Sequence, residues 1–422
     1  MTIRFTIIVP TRERSGTLAS CIKNLLQQDY DNYEILVSDN FSQDQTHDLV
    51  TSFSSPLIRY INTGKRISMT HNWEFALNQV DSGWVLFIGD DDGLMQGALR
   101  TLNNVIQLTS CEALSASSCD FWWPGHFPLR PDGELTMPMP VKNFYEIRNS
   151  AFMLDLVMRG EVAYRELPWL YHGGAASVDL LKKLRTADGK FFQSINPDIY
   201  SAVSIALGTQ TYVKVNIPIA INGASKFSGG VSYMQGNKDE PTTPSSIFLK
   251  EDNIPFDSRL ILGKSLQLFV YECYLKANHL YKMSSYSLIN QLKIALITAP
   301  TNYFPVLLAD CKLMAISNTL SFPRISEIIF FRLIYKSKFF LKSIFMRPTI
   351  TVSASKLGAW DIHLAAIAVN NIYLFFWTLA YKNSILIRLG FFIFLFFIFL
   401  NKFLKKINKK IKAPFMQALT KL

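Results

Sequence analysis

The chain has 422 residues, enough for two or three folding units around a large buried core, and 49% of them are hydrophobic. Its formal net charge of +11 calls for an anionic partner, but no zinc-finger or RNP pattern accompanies the charge, which sets nucleic acid aside. Cys21, Cys111, Cys119, Cys273 and Cys311 are odd in number and lack metal-ligand spacing, so they fit reduced cytoplasmic thiols rather than a disulfide scaffold or a zinc module.

The first apolar run, Phe5 to Pro10, reads as a buried strand; it is too short and too interrupted for a secretory signal. Leu18, Cys21, Ile22, Leu25 and Leu26 then recur at helical spacing. Tyr33 to Val37 reads as a second strand, Thr46 to Phe53 as a short helix and Leu57 to Ile61 as a third strand. Trp73, Ala76, Leu77 and Val80 mark one face of a helix that leads into the apolar run beginning at Trp84. Strand alternating with helix implies a largely parallel sheet covered on both faces. In such sheets ligands bind beyond the carboxyl ends of the strands. Three of those ends carry polar clusters here: Pro10-Thr11-Arg12-Glu13, Ser38-Asp39-Asn40 and Asp90-Asp91-Asp92.

The last cluster is the sharpest feature. Adjacent carboxylates repel, and an oxygen-rich group of this kind suits Mg²⁺ or Mn²⁺, whose shell substrate phosphates complete. A solvated acidic turn is the plainer alternative. No GxGxxG follows the first strand and no GxxxxGK[ST] occurs in this half, so phosphate recognition falls to side chains and a metal rather than a glycine-rich cradle.

These motifs, in this order, resemble the family 2 glycosyltransferases, whose nucleotide-sugar domain has the GT-A fold. Ile8-Val9-Pro10-Thr11 matches the opening strand, and Asp39-Asn40-Phe41-Ser42-Gln43-Asp44-Gln45-Thr46 matches the second strand end except for Phe41, where the family has Gly. Asn62-Thr63-Gly64 follows the third strand as in the family. The family's Ala-Arg-Asn is Thr70-His71-Asn72 here, and its Asp-x-Asp-Asp is Gly89-Asp90-Asp91-Asp92. The resemblance implies a donor site of Pro10, Thr11, Arg12, Glu13, Asp39, Asn72, Asp90 and Asp91, with Asp39 on the nucleobase, although at a strand end Asp39 equally fits as a cap of the next helix or turn. It implies a metal held by Asp92 and Asp91, with Asp92 the direct ligand. Arg12, Lys65 and Arg66 are candidates for the diphosphate, and each also fits as a solvated surface charge.

Residues 111–240 read as a loop-rich acceptor half. Trp122, Trp123, Trp169, Tyr171 and His172 form aromatic clusters of the kind that stack on sugar rings, and any of them also fits as core. Gly189-Lys190-Phe191 followed by Pro197-Asp198 resembles the family's Gly-x-Phe and Glu-Asp, with Pro197 in place of Glu. By that resemblance Asp198 is the base that deprotonates the acceptor, in a displacement that inverts the anomeric centre. The same pair also reads as an ordinary helix start. Asp179 and Asp188 are the reserve candidates. Ile221 to Ser232, rich in Ser and Gly, reads as a mobile loop able to close over the site, or as a plain surface loop.

Residues 241–257 read as a linker, 258–360 as a helical region and 361–422 as a basic, aromatic tail. No acidic residue follows Asp361, whereas Lys382, Arg388, Lys402, Lys405, Lys406, Lys409, Lys410, Lys412 and Lys421 are all basic. The apolar run Leu389 to Leu400 would span about 18 Å as a helix, short of the hydrocarbon core. It reads as an interfacial anchor that meets anionic headgroups, with a tilted span as the alternative and 362–381 as a weaker second candidate. A buried core helix is the third reading.

The expectation is therefore an α/β GT-A domain over 1–110 and 111–240, Rossmann-like with a mostly parallel sheet, followed by a mainly helical region. It would be an inverting, metal-dependent enzyme at the cytoplasmic face of a membrane. It would move a sugar from a nucleoside-diphosphate sugar, UDP favoured, to a lipid-linked glycan in bacterial-type surface polysaccharide assembly. A catalytically silent nucleotide- or glycan-binding scaffold is the alternative. A sugar nucleotidyltransferase is the weaker one, with Thr11 to Gly16 a faint match to its phosphate loop.

Overall fold

The computed structural model describes residues 2–139, 143–229, 232, 250–251, 254–262, 265–278, 286–345 and 349–381. The first half begins β1 (Phe5–Thr11), α1 (Ser15–Leu25), β2 (Tyr33–Asp39), α2 (Thr46–Ser52), β3 (Ile58–Asn62), α3 (Met69–Leu77) and β4 (Trp84–Phe87). Short strand β5 (Gly93–Leu94) and α4 (Ala98–Thr109) follow. The expected strands and the helix from Thr46 stand within a residue or two of these bounds, whereas α1 and α3 begin three and four residues before their first expected apolar positions, and Val80 lies past the end of α3.

Strands β3, β2, β1 and β4 lie side by side and parallel. Their register aligns Thr11 with Asp39 and Asp39 with Asn62, and pairs Ile8 with Phe87, so three polar strand ends and the acidic turn reach one edge of the sheet. Two buried clusters cover its faces, one containing Ile8, Leu36, Trp73 and Phe87, the other Ile7, Val9, Leu18 and Ile35.

The acceptor half departs from the loop-rich expectation. It is built on β6 (Ala113–Trp122) and β10 (Thr211–Ala224), which run parallel as the longest strands described. Around them stand β7 (Glu134–Pro138), β8 (Tyr145–Asn149), α5 (Ser150–Met158), β9 (Ala175–Ser177), α6 (Val178–Lys183) and α7 (Pro197–Gly208). Strand β9 pairs antiparallel with both β4 and β6, and this joins the two halves into one mixed sheet. The α/β layout with a helical carboxy-terminal region is the one expected; the added antiparallel pairings belong to the acceptor half.

The helical region comprises α8 (Leu266–Asn278), α9 (Leu288–Thr298), α10 (Phe304–Ser317) and α11 (Ile325–Phe345). It shares one core cluster with α3, α5 and α7, from Ile8 through Ile328, so no seam separates it from the sheet. Two expectations for the later chain need correction. Thr349–Ser353 forms β11, paired antiparallel with β7, so 258–360 is not wholly helical. The first part of helix α12 (Ile362–Tyr381) packs on the body: Ile362, Ala365, Ala366 and Val369 are buried in one cluster with Met95, Phe121, Trp123 and Leu135. Small alanine side chains let that helix lie close, and Asn370 donates to Gln96 Oε1 at 3.0 Å. Among the described residues no helix is long and apolar enough to cross a membrane. The run 389–400, its flanking lysines and most of 241–257 lie outside the described residues.

Candidate active site

The acidic turn sits past β4, and all three carboxylates are buried at 1%, 4% and 1% exposure for Asp90, Asp91 and Asp92. Each is held differently. Asp90 accepts from Thr11 Oγ1 at 2.8 Å and from the Arg14 guanidinium at 3.1 Å. Asp91 accepts from the Ser225 hydroxyl at 2.5 Å and from the Ser228 hydroxyl. Asp92 accepts backbone N–H bonds from Gly223 at 2.6 Å and Gly89 at 2.8 Å, and lies 3.1 Å from His172 Nε2.

Those partners set the charge. Burial would push the Asp92 carboxyl up, but His172 and the two backbone donors win and hold it below the usual range. Asp90 stays raised by burial, against the pull of Arg14 and Thr11. Asp91 has only hydroxyl donors, and burial followed by the charges of Asp92 and Asp90 pushes it up to about 6. Asp91 is therefore the carboxylate of the turn whose ionised form the fold disfavours and compensates least.

Backbone proximity makes Gly223 obligatory, and side-chain ends crowd Gly89. A Cβ on Gly223 would lie 1.7 Å from the Asp91 carbonyl oxygen, and one on Gly89 would lie 2.6 Å from the Tyr171 hydroxyl. Trp123 Nε1 also donates to the Asp91 carbonyl, at 3.1 Å. The segment expected to be a mobile loop is thus corrected: Ile221–Ala224 completes β10, and Ser225 and Ser228 clamp the acidic turn.

The expected donor residues gather on the same edge, but several have their polar atoms taken by the protein. Asp39 Oδ1 accepts from Ser42 N–H at 3.0 Å, and Oδ2 from Tyr60 at 2.6 Å and Asn62 at 3.1 Å. Asn72 spends both ends of its amide on Ser38, at 2.7 and 3.2 Å, tying α3 to β2 rather than facing outward. Glu13 receives the N–H groups of Gln43 at 3.0 Å and Asp44 at 3.1 Å, locking the first strand end to the second. Pro10 is half-buried beside Thr11. Arg12 and Arg66 both pair with Glu251 from the expected linker, Arg66 at 3.3 Å. Phe41 has φ +57, the left-handed backbone that glycine adopts freely, so the family's Gly position keeps its geometry in spite of the substitution.

Of the expected acceptor residues, Trp123 and His172 are buried and brace the acidic turn from behind. Trp169 is also buried, and its indole N–H has no partner among the described residues. Trp122 is half-buried under the Arg130 guanidinium, 3.9 Å from the ring centre. Tyr171 is half-buried and hydrogen-bonds Asp92. Asp198 lies in the first turn of α7, accepts from the Tyr164 hydroxyl at 2.9 Å and does not cap the helix. Tyr164 packs edge-on against Trp169, and Trp169 against His172, so Asp198 connects to the acidic turn through aromatic rings. The reserve carboxylates lie elsewhere: Asp188 is bound to Thr186 and Lys190, and Asp179 is exposed in the first turn of α6.

Four residues of this site were not singled out from sequence: Arg14, Gly223, Ser225 and Ser228. Arg14 stood in a noted loop without an assigned role; the other three lie more than a hundred positions from the triplet, in the Ser- and Gly-rich segment read only as a closing or surface loop.

The fit of a divalent cation can be tested on the donor set. Among the described residues no three acidic, histidine or cysteine side chains converge as a ready cage. One or two carboxylates suffice for Mg²⁺ when substrate phosphates and water fill the shell. Asp91 meets that need, since its partners are hydroxyls that can rotate away and its charge is the unrelieved one. The backbone N–H groups on Asp92 cannot rotate away, whereas the hydroxyls on Asp91 can.

Comparison with known proteins agrees with the residues at this edge. Residues 6–114, about a quarter of the chain, match the family model described as glycosyl transferase family 2. A Campylobacter jejuni protein named GalNAc(5)-diNAcBac-PP-undecaprenol beta-1,3-glucosyltransferase is 34% identical over 102 residues, 24% of this chain and 33% of that one. The chain spans about a third of the length of the curated relatives it matches. Among solved structures, S. aureus TarS is 15% identical over 75% of this chain and 54% of that chain, with a TM-score of 0.42. The Pyrobaculum calidifontis mannosyltransferase PcManGT, in complex with GDP-Man and Mn²⁺, is 15% identical over 88% of each chain, with a TM-score of 0.38.

Proposed function

We propose that this protein is a glycosyltransferase that moves a sugar from a nucleoside-diphosphate sugar to a hydroxyl of a lipid-linked glycan at the cytoplasmic face of a membrane, inverting the anomeric centre. The carrying observation is the buried acidic turn at the aligned strand ends, where Asp91 is held only by side-chain hydroxyls. The Campylobacter relative, whose name specifies an undecaprenol-linked glycan, supports the lipid-linked acceptor.

Thr11, Glu13 and Asp39 form the wall on which a nucleoside rests, with uridine favoured. Asp91, backed by Asp90 and Asp92, would hold Mn²⁺ or Mg²⁺, which when bound supplies positive charge to the leaving diphosphate. Arg14 keeps Asp90 paired, so that this charge reaches the phosphates. Asp198 takes the proton of the acceptor hydroxyl, and Tyr164 fixes the orientation of its carboxylate. Trp122 and Tyr171 offer half-buried aromatic faces to the acceptor. The scaffold reading has one observation in its favour, that Asp39, Asn72 and Asp92 already have protein partners on their polar atoms.

Thermal-shift measurements with UDP, GDP, dTDP and CMP, each with and without Mn²⁺, separate the two readings. Stabilisation by one nucleotide only with metal, and sugar transfer that falls about 100-fold or more in Asp198→Asn while that shift persists, is the expected result. Absence of any shift favours the scaffold, and full turnover by Asp198→Asn removes the base assignment.

A further inference from the structure

Helix α11 wears its polarity inside out. On a water-facing helix the charges point outward and the apolar stripe inward. Here the charged side chains of its first turns are spent on the body. Arg332 is 8% exposed and donates to the Leu296 and Ile297 carbonyls at 2.7 and 3.2 Å, closing the carboxyl end of α9. Lys336 donates to Thr301 Oγ1 at 2.8 Å, and Glu327 pairs with Lys293. Ile328, fully buried, completes the inner face.

The outer face is apolar. Ile329, Phe330 and Leu333, at i, i+1 and i+4, share one side and are 45%, 60% and 61% exposed. Phe331 adds a 40% exposed ring at its margin. A contiguous apolar face of this kind marks an interaction surface. Its charge surroundings select the partner: the exposed side chains of α11 include Lys336 and Lys338, and its single acidic residue, Glu327, is already paired. Aromatic and aliphatic side chains bordered by lysines match the acyl-headgroup boundary of an anionic lipid surface, whereas a protein groove would ask for no such one-sided charge.

We infer that the outer face of α11, through Ile329, Phe330 and Leu333, docks on an anionic membrane surface. The inference rests on the membrane-presented acceptor proposed above and goes beyond it, because it places a lipid contact on the folded body and not on the carboxy-terminal run. A helix fixed to the shared core would hold the body in one orientation on the bilayer, which a terminal anchor alone would not do.

The test uses the full chain with phosphatidylcholine vesicles made with and without phosphatidylglycerol. An environment-sensitive fluorophore on Leu333→Cys, with unsubstituted protein as the labelling control, reports contact through quenching by nitroxide lipids. Quenching on anionic vesicles is expected, together with about tenfold weaker vesicle binding when Ile329→Ser, Phe330→Ser and Leu333→Ser are combined. The metal-dependent nucleotide shift should stay intact in that variant, which separates this surface from the donor site. Vesicle binding without quenching means that another segment alone holds the membrane and overturns the inference, as does failure to bind vesicles. A dimer that dissociates in the triple variant overturns it too, in favour of a second copy on this face.

Discussion

Two adjacent carboxylates of the acidic turn should respond to the same substitution with opposite signs. Asp91 is held at about 6 against an ordinary 3.8. A shift of roughly two units corresponds to about 3 kcal/mol disfavouring the ionised form in the fold. Asp91→Asn removes that cost but weakens the Ser225 and Ser228 hydrogen bonds, by about 1 kcal/mol in total. The net expectation without metal is a gain of about 2 kcal/mol at pH 8. Because the folded-state value is raised, the acid favours folding most below its unfolded value and loses that benefit as pH climbs through about 6. The variant's advantage should therefore grow between pH 5 and pH 8 and be small at the acidic end. Asp92→Asn works the other way, since it leaves Gly223 and Gly89 N–H groups with a weaker acceptor inside the protein, and should cost about 3 kcal/mol. Thermal unfolding of both variants across that pH range, with and without Mn²⁺, reads the comparison. Equal destabilisation by the two, or an Asp91→Asn difference that does not change with pH, would refute the reasoning.

Other consequences follow from single contacts. Gly223→Ala should lower stability by about 3 kcal/mol or more in thermal unfolding, because the added methyl meets backbone that cannot move aside. Phe41→Gly should raise stability by about 1 kcal/mol in denaturant titration, by relieving a left-handed backbone at a non-glycine residue. Tyr164→Phe should reduce kcat about tenfold with the donor KM unchanged, if the phenol orients Asp198 only for the chemical step.

The parallel half of the sheet was legible because its period is local: Phe5 to Val9 and Tyr33 to Val37 are buried apart from the half-buried Glu34, and read as apolar runs interrupted only by Thr6 and Glu34. The polar strand ends followed from the same reading, since Thr11, Asp39 and Asn62 terminate their strands in register. What could not be read was who holds the carboxylates. Ser225 and Ser228 are ordinary loop residues in sequence, and only the length of β10 brings them to Asp91. Asn72 and Asp92 matched motif positions whose side chains here face protein partners, which a motif does not encode. Helix α12 looked like a weak membrane candidate because it is apolar nearly all round, and a helix of that kind can equally be covered by protein. Alternation in Thr349 to Ser353 was a strand signal that stood unread after a long helical stretch.

The reach of β10 into the acidic turn has a consequence for how this protein can be divided. The family match ends at residue 114, yet the donors that satisfy Asp91 and Asp92 come from Gly223, Ser225 and Ser228. A fragment cut at that boundary would strip Asp91 of its hydroxyl donors and Asp92 of its Gly223 donor, leaving Asp92 the Gly89 N–H, and would not preserve the site. Chimeras that exchange nucleotide preference between related chains must accordingly carry the end of β10 along with the amino-terminal segment.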